Sequence, residues 1–311
     1  MQIETFKVFR DLVETSSFSK AAVMNAITQS AVSQQIRALE TRFGVVLIDR
    51  GRRHFALTPE GAVFLDASKD VLRIYNSLGD RLKELLDVVA GEIKLASIFS
   101  IGLHELPPVL KAFRGAYPDV EVEVEYRRSS EVYGLVVGGE VDMGLVSYPV
   151  KRNGIQIEPF MKDRLVVICH PGHELAKKRR VNLKDLEGQR FIGFEPDLPT
   201  RKAIDRQFRE GGVTIQQVME FDNIETVKRA VEIETGVSIV PGTTVEEEVD
   251  DRNLVAIPIE DPEMWRPLGI LLKRNRTRSP ALKRLVSLLK EAHGRPGSVA
   301  PATEMGELEV E

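Results

Sequence analysis

One stretch of the chain limits what can surround it. Thr58-Pro59-Glu60 combines a hydroxyl that caps a helix, a proline where its missing N–H costs nothing, and an acid at the positive end of the helix dipole. From there to about Val89 no proline interrupts the sequence, and Val71, Tyr75, Leu78, Leu82, Leu85 and Val89 recur in steps of 4, 3, 4, 3 and 4. A period of about 3.5 residues is that of a seam between two helices. A helix packed only on its own domain carries a wider apolar stripe, so the spacing predicts that residues 59–90 form a dimerisation helix. Whatever else the chain contains must lie before this helix or after it.

The part before it, residues 1–58, holds eight Lys and Arg against five Asp and Glu, a local charge of +3 in a chain whose total is -4. Ile3, Phe6, Phe9 and Val13 recur at helical spacing. Ser19 is placed to cap a short second helix, and Thr28 a third that runs to about Phe43, where Gly44 stops it. The run Val45 to Ile48, the basic turn Arg50-Gly51-Arg52-Arg53-His54 and Phe55-Ala56-Leu57 read as a two-stranded wing. Ala22, Ala31, Val32, Ile36 and Leu39 supply small apolar faces that let two helices cross closely. Gln29, Ser30, Ser33, Gln34 and Arg37 then fall on the outer face of the third helix. Short donors and acceptors there reach base edges and phosphates in a major groove, although a polar helical face is by itself ordinary solvated surface. Arg52 and Arg53 on a tight turn favour the nucleic-acid reading, since they suit contacts to the DNA backbone or minor groove.

Beyond Gly91 apolar runs alternate with amphipathic segments: Ile93 to Phe99, Pro107 to Tyr117, Val120 to Tyr126, Ser130 to Val137, Val141 to Val146. This β-α-β-α-β order predicts a parallel sheet with helices on its faces. A second set follows, with strands at Leu165 to Cys169, Phe191 to Phe194, Gln216 to Phe221 and Val237 to Val240, and helices at Thr200 to Glu210 and Asn223 to Glu234. The last strand, Leu268 to Leu272, and the helix Pro280 to His293 have no place in the second set and are expected to return to the first. Two crossings of the chain make a hinge and a cleft. The expected domains are a DNA-binding head at 1–58, a linker helix at 59–90 and a two-lobed body at 91–293. Lobe I spans about 91–161 and 266–293, lobe II about 162–265, and residues 294–311 are a tail without a periodic apolar face, expected to be disordered.

Composition narrows the function. With 42% hydrophobic and 29% charged residues the chain is of globular type, and no run approaches the roughly 18 to 20 apolar residues that span a bilayer. The opening MQIETFKVFRD has no basic segment followed by an apolar one, so a cytoplasmic protein without a membrane is expected. The single cysteine, Cys169, closes no intrachain disulfide and has no second cysteine to resolve an oxidised form. Cys169-His170-Pro171-Gly172-His173 reads as a turn after a strand, because a metal site needs three or four ligands of defined geometry. Glu246-Glu247-Glu248, with Asp250 and Asp251, reads as a solvated helix end. The phosphate-loop, dinucleotide and nucleophile-elbow motifs are missing, which disfavours an enzyme, and neither a cofactor nor a metal is expected.

Residues 1–65 carry a more specific pattern: Ser17-Phe18-Ser19-Lys20-Ala21-Ala22, Gln29-Ser30-Ala31-Val32-Ser33, Ile36-Arg37-Ala38-Leu39-Glu40, Phe43-Gly44, Leu47-Ile48-Asp49-Arg50 and Leu57-Thr58-Pro59-Glu60-Gly61. This resembles the winged helix-turn-helix of LysR-type transcriptional regulators, and the chain to about His293 fits that plan. The resemblance implies a winged head, a long linker helix that dimerises, and a C-terminal α/β domain of two Rossmann-like lobes, like a type 2 periplasmic binding protein. It implies double-stranded DNA with a dyad-symmetric site as partner, a small-molecule effector in the cleft, a homotetramer built as a dimer of dimers, and RNA polymerase as a further contact. It points to Ser100, Ile101, Ser129 and Ser147 in lobe I and to Thr200, Arg201 and Asn223 in lobe II as the effector site. Ser100 as a plain helix cap, and Arg201 as a solvated arginine instead of a countercharge, remain open. One departure is Asn25, where the family usually has a leucine; Met24 is expected to take that role after a slight rotation. The alternative reading is a small-molecule sensor whose head binds protein.

Overall fold

The computed structural model describes residues 2–49, 55–84, 89–260 and 262–293. Arg52, Arg53 and Leu85, and the expected tail, lie outside the described residues. The chain divides into two compact units that part between Val89 and Ala90.

In the first unit, helices α1 (Ile3–Thr15), α2 (Phe18–Met24) and α3 (Gln29–Phe43) are followed by short strands β1 (Ile48–Asp49) and β2 (Ala56–Leu57) and by the long helix α4 (Pro59–Glu84). The ends of α3 are set locally. Thr28 Oγ1 accepts the Ala31 N–H at 3.2 Å, and Gly44 takes a left-handed conformation with φ of 68°. For α2 the cap is Ser17 and not Ser19, since the Ser17 hydroxyl accepts from Lys20 N at 3.3 Å. Val8, Phe9, Leu12, Val32, Ile36 and Leu39 form the buried core. Phe64 joins α4 to it, stacking on Phe6 and meeting Phe9 and Phe43 edge-on at 5.0 and 5.3 Å. The wing strand is shorter than the run Val45 to Ile48. The Leu47 and Ile48 N–H groups donate to the Glu40 carboxylate at 3.1 and 3.4 Å, which leaves only Ile48 and Asp49 to pair with β2. Met24 does not replace the missing leucine: it is 53% exposed. Asn25 is itself built in, donating to the buried Asp11 carboxylate and to the Ala21 carbonyl, both at 2.9 Å, and accepting from Lys7 at 2.9 Å. Gly61 has a steric reason, because a Cβ there would overlap the Leu47 carbonyl oxygen.

The second unit starts with β3 (Gly91–Ser97), a π-turn at Ile101–Glu105 leading into α5 (Leu106–Ala116), then β4 (Val120–Tyr126), α6 (Ser129–Gly138) and β5 (Met143–Ser147). β3 pairs in parallel with both β4 and β5. Strand β6 (Ile155–Cys169) is three times the length expected. Its first part, Ile155–Arg164, pairs with β11 (Trp265–Lys273), while Leu165–Ile168 pairs with β9 (Ser238–Pro241) and Val166–Cys169 with β10 (Val255–Pro258). The order β10-β6-β11-β5-β3-β4 therefore carries one sheet through both lobes, with β6 and β11 as the crossing strands. β10 was not foreseen. Lobe II adds the parallel pair β7 (Arg190–Phe194) and β8 (Gln216–Phe221), with α7 (Pro199–Gly211), α8 (Ile224–Glu232) and α9 (Glu246–Asp250); α10 (Pro280–His293) ends the described chain. In the acidic run of α9, Glu246, Glu247, Asp250 and Asp251 are exposed as expected, and Glu248 alone is not. Glu248 is buried and pairs at 2.8 Å with Lys228, itself 2% exposed and also held by the Thr244 carbonyl and Glu225. Among the described residues no helix is long and apolar enough to cross a membrane.

Candidate DNA-reading helix and ligand cleft

On α3, Gln29, Ser30, Gln34 and Arg37 are exposed and Ser33 is half-buried. This follows from helical spacing, since Val32, Ile36 and Leu39 face the core. Ser19 Oγ holds Gln29 Oε1 at 3.3 Å, and the hydroxyls of Thr28 and Ser30 lie 2.9 Å apart. Along α4 the side chains of Tyr75, Leu78 and Leu82 are each more than half exposed, as is Ile74; Val71 and Val89 are half-buried. An apolar stripe left open to water is a surface that association would cover.

In the second unit a cavity encloses about 620 Å3 of empty space, counting the part open at its mouth. It sits at the carboxyl ends of β3, β4 and β5 on one side and of β7 and β8 on the other, the place where open α/β sheets bind ligands. Ser100, Ser129, Ser147, Thr200 and Asn223 all line it. Ser100 precedes the π-turn, Ser129 opens α6, Thr200 lies in the first turn of α7, and Asn223 caps α8 by accepting the Thr226 N–H at 3.0 Å. Two expected residues are elsewhere. Ile101 is fully buried and does not line the cavity, and Arg201 is committed to its own lobe, to Asp205 at 2.7 Å, to Glu220 at 2.7 Å and to the Phe194 carbonyl. Arg201 is thus neither solvated nor a countercharge facing the cavity.

Sequence reasoning missed three arginines that do line the cleft: Arg127, Arg128 and Arg266. Arg128 reaches from lobe I to three carboxylates of lobe II, Glu195 at 2.7 Å, Asp197 at 3.2 Å and Asp222 at 3.7 Å, and its hydrogen bond to Glu195 raises its pKa further. His104 and Glu225 make a second bridge between the lobes at 2.8 Å. Arg266, on the crossing strand β11, is 1% exposed; it donates to Ser100 Oγ and to Asp163, each at 2.9 Å. Burial pulls its pKa down, against the charges of Asp163 and Glu105. Asp163 is 2% exposed and also accepts from Thr243 at 2.9 Å. Cys169 ends β6 deep in the lobe II core, where burial pushes its thiol up to about 11. Among the described residues no group of three or more His, Cys, Asp or Glu is placed to hold a metal.

Comparison with known proteins adds to this geometry. Residues 3–62 match the family described as bacterial regulatory helix-turn-helix protein, lysR family, and residues 87–294 match the LysR substrate binding domain. The HTH-type transcriptional regulator CysL of Bacillus subtilis is 27% identical over 271 residues, 87% of this chain and 91% of its own length. Full-length OxyR from Pseudomonas aeruginosa superposes with a TM-score of 0.76 at 18% identity, covering 97% of this chain and 98% of that one. Full-length CbnR, solved in complex with its target DNA, gives 0.64 at 21% identity, covering 94% and 100%. The two structures bear on the fold alone.

Proposed function

The chain belongs to the LysR family of transcriptional regulators, and on that premise we propose how its parts share the work of a DNA-binding regulator modulated by a small-molecule effector. It is not an enzyme. Two heads, held together along Val71, Tyr75, Leu78, Leu82, Leu85 and Val89, engage half-sites with dyad symmetry, and two such dimers make the working tetramer. Gln29, Ser30, Ser33, Gln34 and Arg37 read the major groove, while Arg52 and Arg53 contact the backbone or minor groove. The effector enters between the lobes, against Ser100, Ser129, Ser147, Thr200 and Asn223, and its preference for one degree of closure biases the assembly on DNA and its contact with RNA polymerase. The protein works in the cytoplasm.

One observation carries this reading: five residues from both lobes, far apart in sequence, border a single cavity at the strand ends. The test is fluorescence anisotropy with DNA flanking the protein's own gene, at two salt concentrations and against a random duplex. Specific binding that weakens with salt is expected. Gln29→Ala should lower discrimination by about 1–3 kcal/mol, whereas Arg52→Ala should weaken all sequences alike and flatten the salt dependence. Equal affinity for random DNA by a folded oligomer would overturn the reading in favour of a sensor with a protein-binding head.

A further inference from the structure

The segment Ile101–Glu105 is a π-turn, a geometry that occurs mostly at functional sites. It is firmly seated: Ile101, Gly102 and Glu105 are buried, and a Cβ on Gly102 would overlap the Tyr126 ring. His104 faces lobe II, where its Nε2 lies 2.8 Å from Glu225 Oε1. The carboxylate is aimed from behind. Glu225 Oε2 meets Lys228 Nζ at 3.0 Å, and Lys228, 2% exposed, is itself fixed by Glu248 at 2.8 Å and by the Thr244 carbonyl at 2.9 Å. Each oxygen of Glu225 thus has its own partner, one in each lobe.

The two bridges between the lobes differ in kind. The Arg128 guanidinium stays charged at every working pH, whereas an imidazole gains its proton between about pH 5 and 8. The His104 side chain is 21% exposed, so protons reach it from water. Neutral, it donates an ordinary hydrogen bond to Glu225; protonated, it makes a stronger, charge-assisted one. Glu225 remains an anion throughout: burial raises its pKa, but the hydrogen bonds of His104 and Lys228 outweigh that and hold it below the ordinary 4.5. The other charges around the turn are engaged. Glu105 is buried and acts on Arg266, which pairs with Asp163; Glu248 is taken by Lys228, Arg229 by Glu232 at 2.6 Å, and Asp222 by Arg128. β5 and the segment Gly242–Val245, which also pack on this turn, bring no titratable side chain. Tyr126 of β4 points its hydroxyl at the Gly102 carbonyl at 3.4 Å, and Lys111 and Arg114 of α5 are exposed.

We propose that His104 and Glu225 form a proton-sensitive clasp between the lobes: a protonated His104 favours the bridged arrangement, and loss of its proton weakens it. The sign follows from position. A positive imidazole is attracted to the Glu225 carboxylate only while the lobes are bridged, so protonation and bridging favour each other. The added attraction is present toward acid pH and is lost as pH rises. Arg128 still joins the lobes at the alkaline end, so the proton changes how firmly they are joined. The inference rests on the lobes moving as the regulator reading requires, and it makes pH a second input to the cleft beside the effector.

The test uses the full chain and two substitutions at this half-buried position: His104→Gln, which keeps a neutral donor, and His104→Arg, which keeps a positive charge at every pH. Amide hydrogen exchange of segment 222–226 is followed at about pH 5.5 and 8, the two sides of imidazole titration. That segment has the same sequence in all three chains, so dividing its protection by that of the Gln variant cancels the intrinsic effect of pH and every other titration. The ratio should be near one at the higher pH and rise roughly two- to fivefold at the lower, the size of a partly exposed ion pair. His104→Arg should be protected at both. A ratio that does not change with pH, or an Arg variant no better protected than the Gln variant, would overturn the clasp. Anisotropy on operator DNA at the same two pH values separates this from its premise. Specific DNA binding with a ratio that ignores pH removes the clasp alone, whereas absence of specific binding by the unmodified chain at both removes the regulator reading itself.

Discussion

Replacing Arg266 by methionine keeps most of the side-chain volume but leaves the Asp163 carboxylate, 2% exposed, with only the Thr243 hydroxyl for company. Breaking a buried ion pair from one side costs roughly 3–5 kcal/mol, because the surviving charge must stay buried, neutralise, or open the structure. Asp163→Leu leaves the buried guanidinium with Ser100 as its one hydrogen-bond partner among the described residues and Glu105 as a nearby charge. The double variant strands neither charge and should lie within about 1 kcal/mol of the unmodified chain, since apolar replacement of a whole buried pair is often neutral. The assay is urea unfolding followed by tryptophan fluorescence. Trp265 is the only tryptophan in the chain, adjoins Arg266 on β11 and has the Arg164 guanidinium 5.9 Å above its ring, so it reports on this region. At a slope of about 2 kcal/mol per molar urea, each single variant should lower the midpoint by roughly 1.5–2.5 M, and the double variant should recover most of it. Single variants that each cost under about 1 kcal/mol, or a double variant as unstable as the worse single, would refute the idea of a dry, coupled pair at the hinge.

Asp11 gives the head an acid-sensitive term. Burial alone would raise its pKa, but Arg10, Asn25 and Lys7 outweigh it and hold the carboxyl below its ordinary value of 3.8. A group depressed in the folded state adds stability above its unfolded pKa and loses it as pH falls through the folded one, so Asp11→Asn should cost roughly 1.5–3 kcal/mol near neutrality, less and less below about pH 4. Circular-dichroism melts of both proteins between pH 7 and 3 check this, and a gap that stays constant contradicts it. Gly61→Ala should destabilise the head by about 1–3 kcal/mol, as its methyl meets the Leu47 carbonyl; an unchanged melt of the head rules this out. Cys169, buried and pushed up to about 11, is thiolate in only about one molecule in a thousand at pH 8. Ellman's reagent should leave the native chain unlabelled and react fully in denaturant, and fast native labelling would revive a redox role.

What the sequence made legible was whatever local chemistry decides. Thr28 and Gly44 bound α3 because a cap and a left-handed glycine act within a few residues. The faces of α3 and α4 follow from spacing alone. Ser100, Ser129, Thr200 and Asn223 were pointed to by the family resemblance, not by composition, and all four line the cavity. Strand β6 starts ten residues before the expected Leu165 and runs through Pro159. The fold accepts the proline where β6 and β11 shift register between Leu268 and Gly269, a place where a ladder hydrogen bond is not required of it. Arg266 had no local sign at all. Its partners Asp163 and Ser100 are 103 and 166 residues away, so only the return of β11 into lobe I creates the pair. Asn25 misled in the opposite sense: a polar residue where a leucine was expected looked like a packing fault, but Asp11 and Lys7 make it a hydrogen-bonded joint between α1 and α2.

The same long-range contacts indicate how a ligand in the cleft can do work. A ligand moves an equilibrium between open and closed lobes only by as much as its affinities for the two differ. In the described geometry the two lobes are bridged by Arg128 on Glu195, Asp197 and Asp222 and by His104 on Glu225. Arg128 lines the cavity, so a ligand that draws its guanidinium inward loosens one bridge, whereas a ligand that does not touch it leaves both in place. Arg128→Ala removes that distinction. In amide hydrogen exchange, segments 195–200 and 222–226 should lose protection in the free chain, and a cleft ligand should then change their exchange in one direction only, toward protection. If the variant exchanges like the unmodified chain with and without ligand, Arg128 is a surface ion pair and the coupling between ligand and closure must run through β6 and β11 instead.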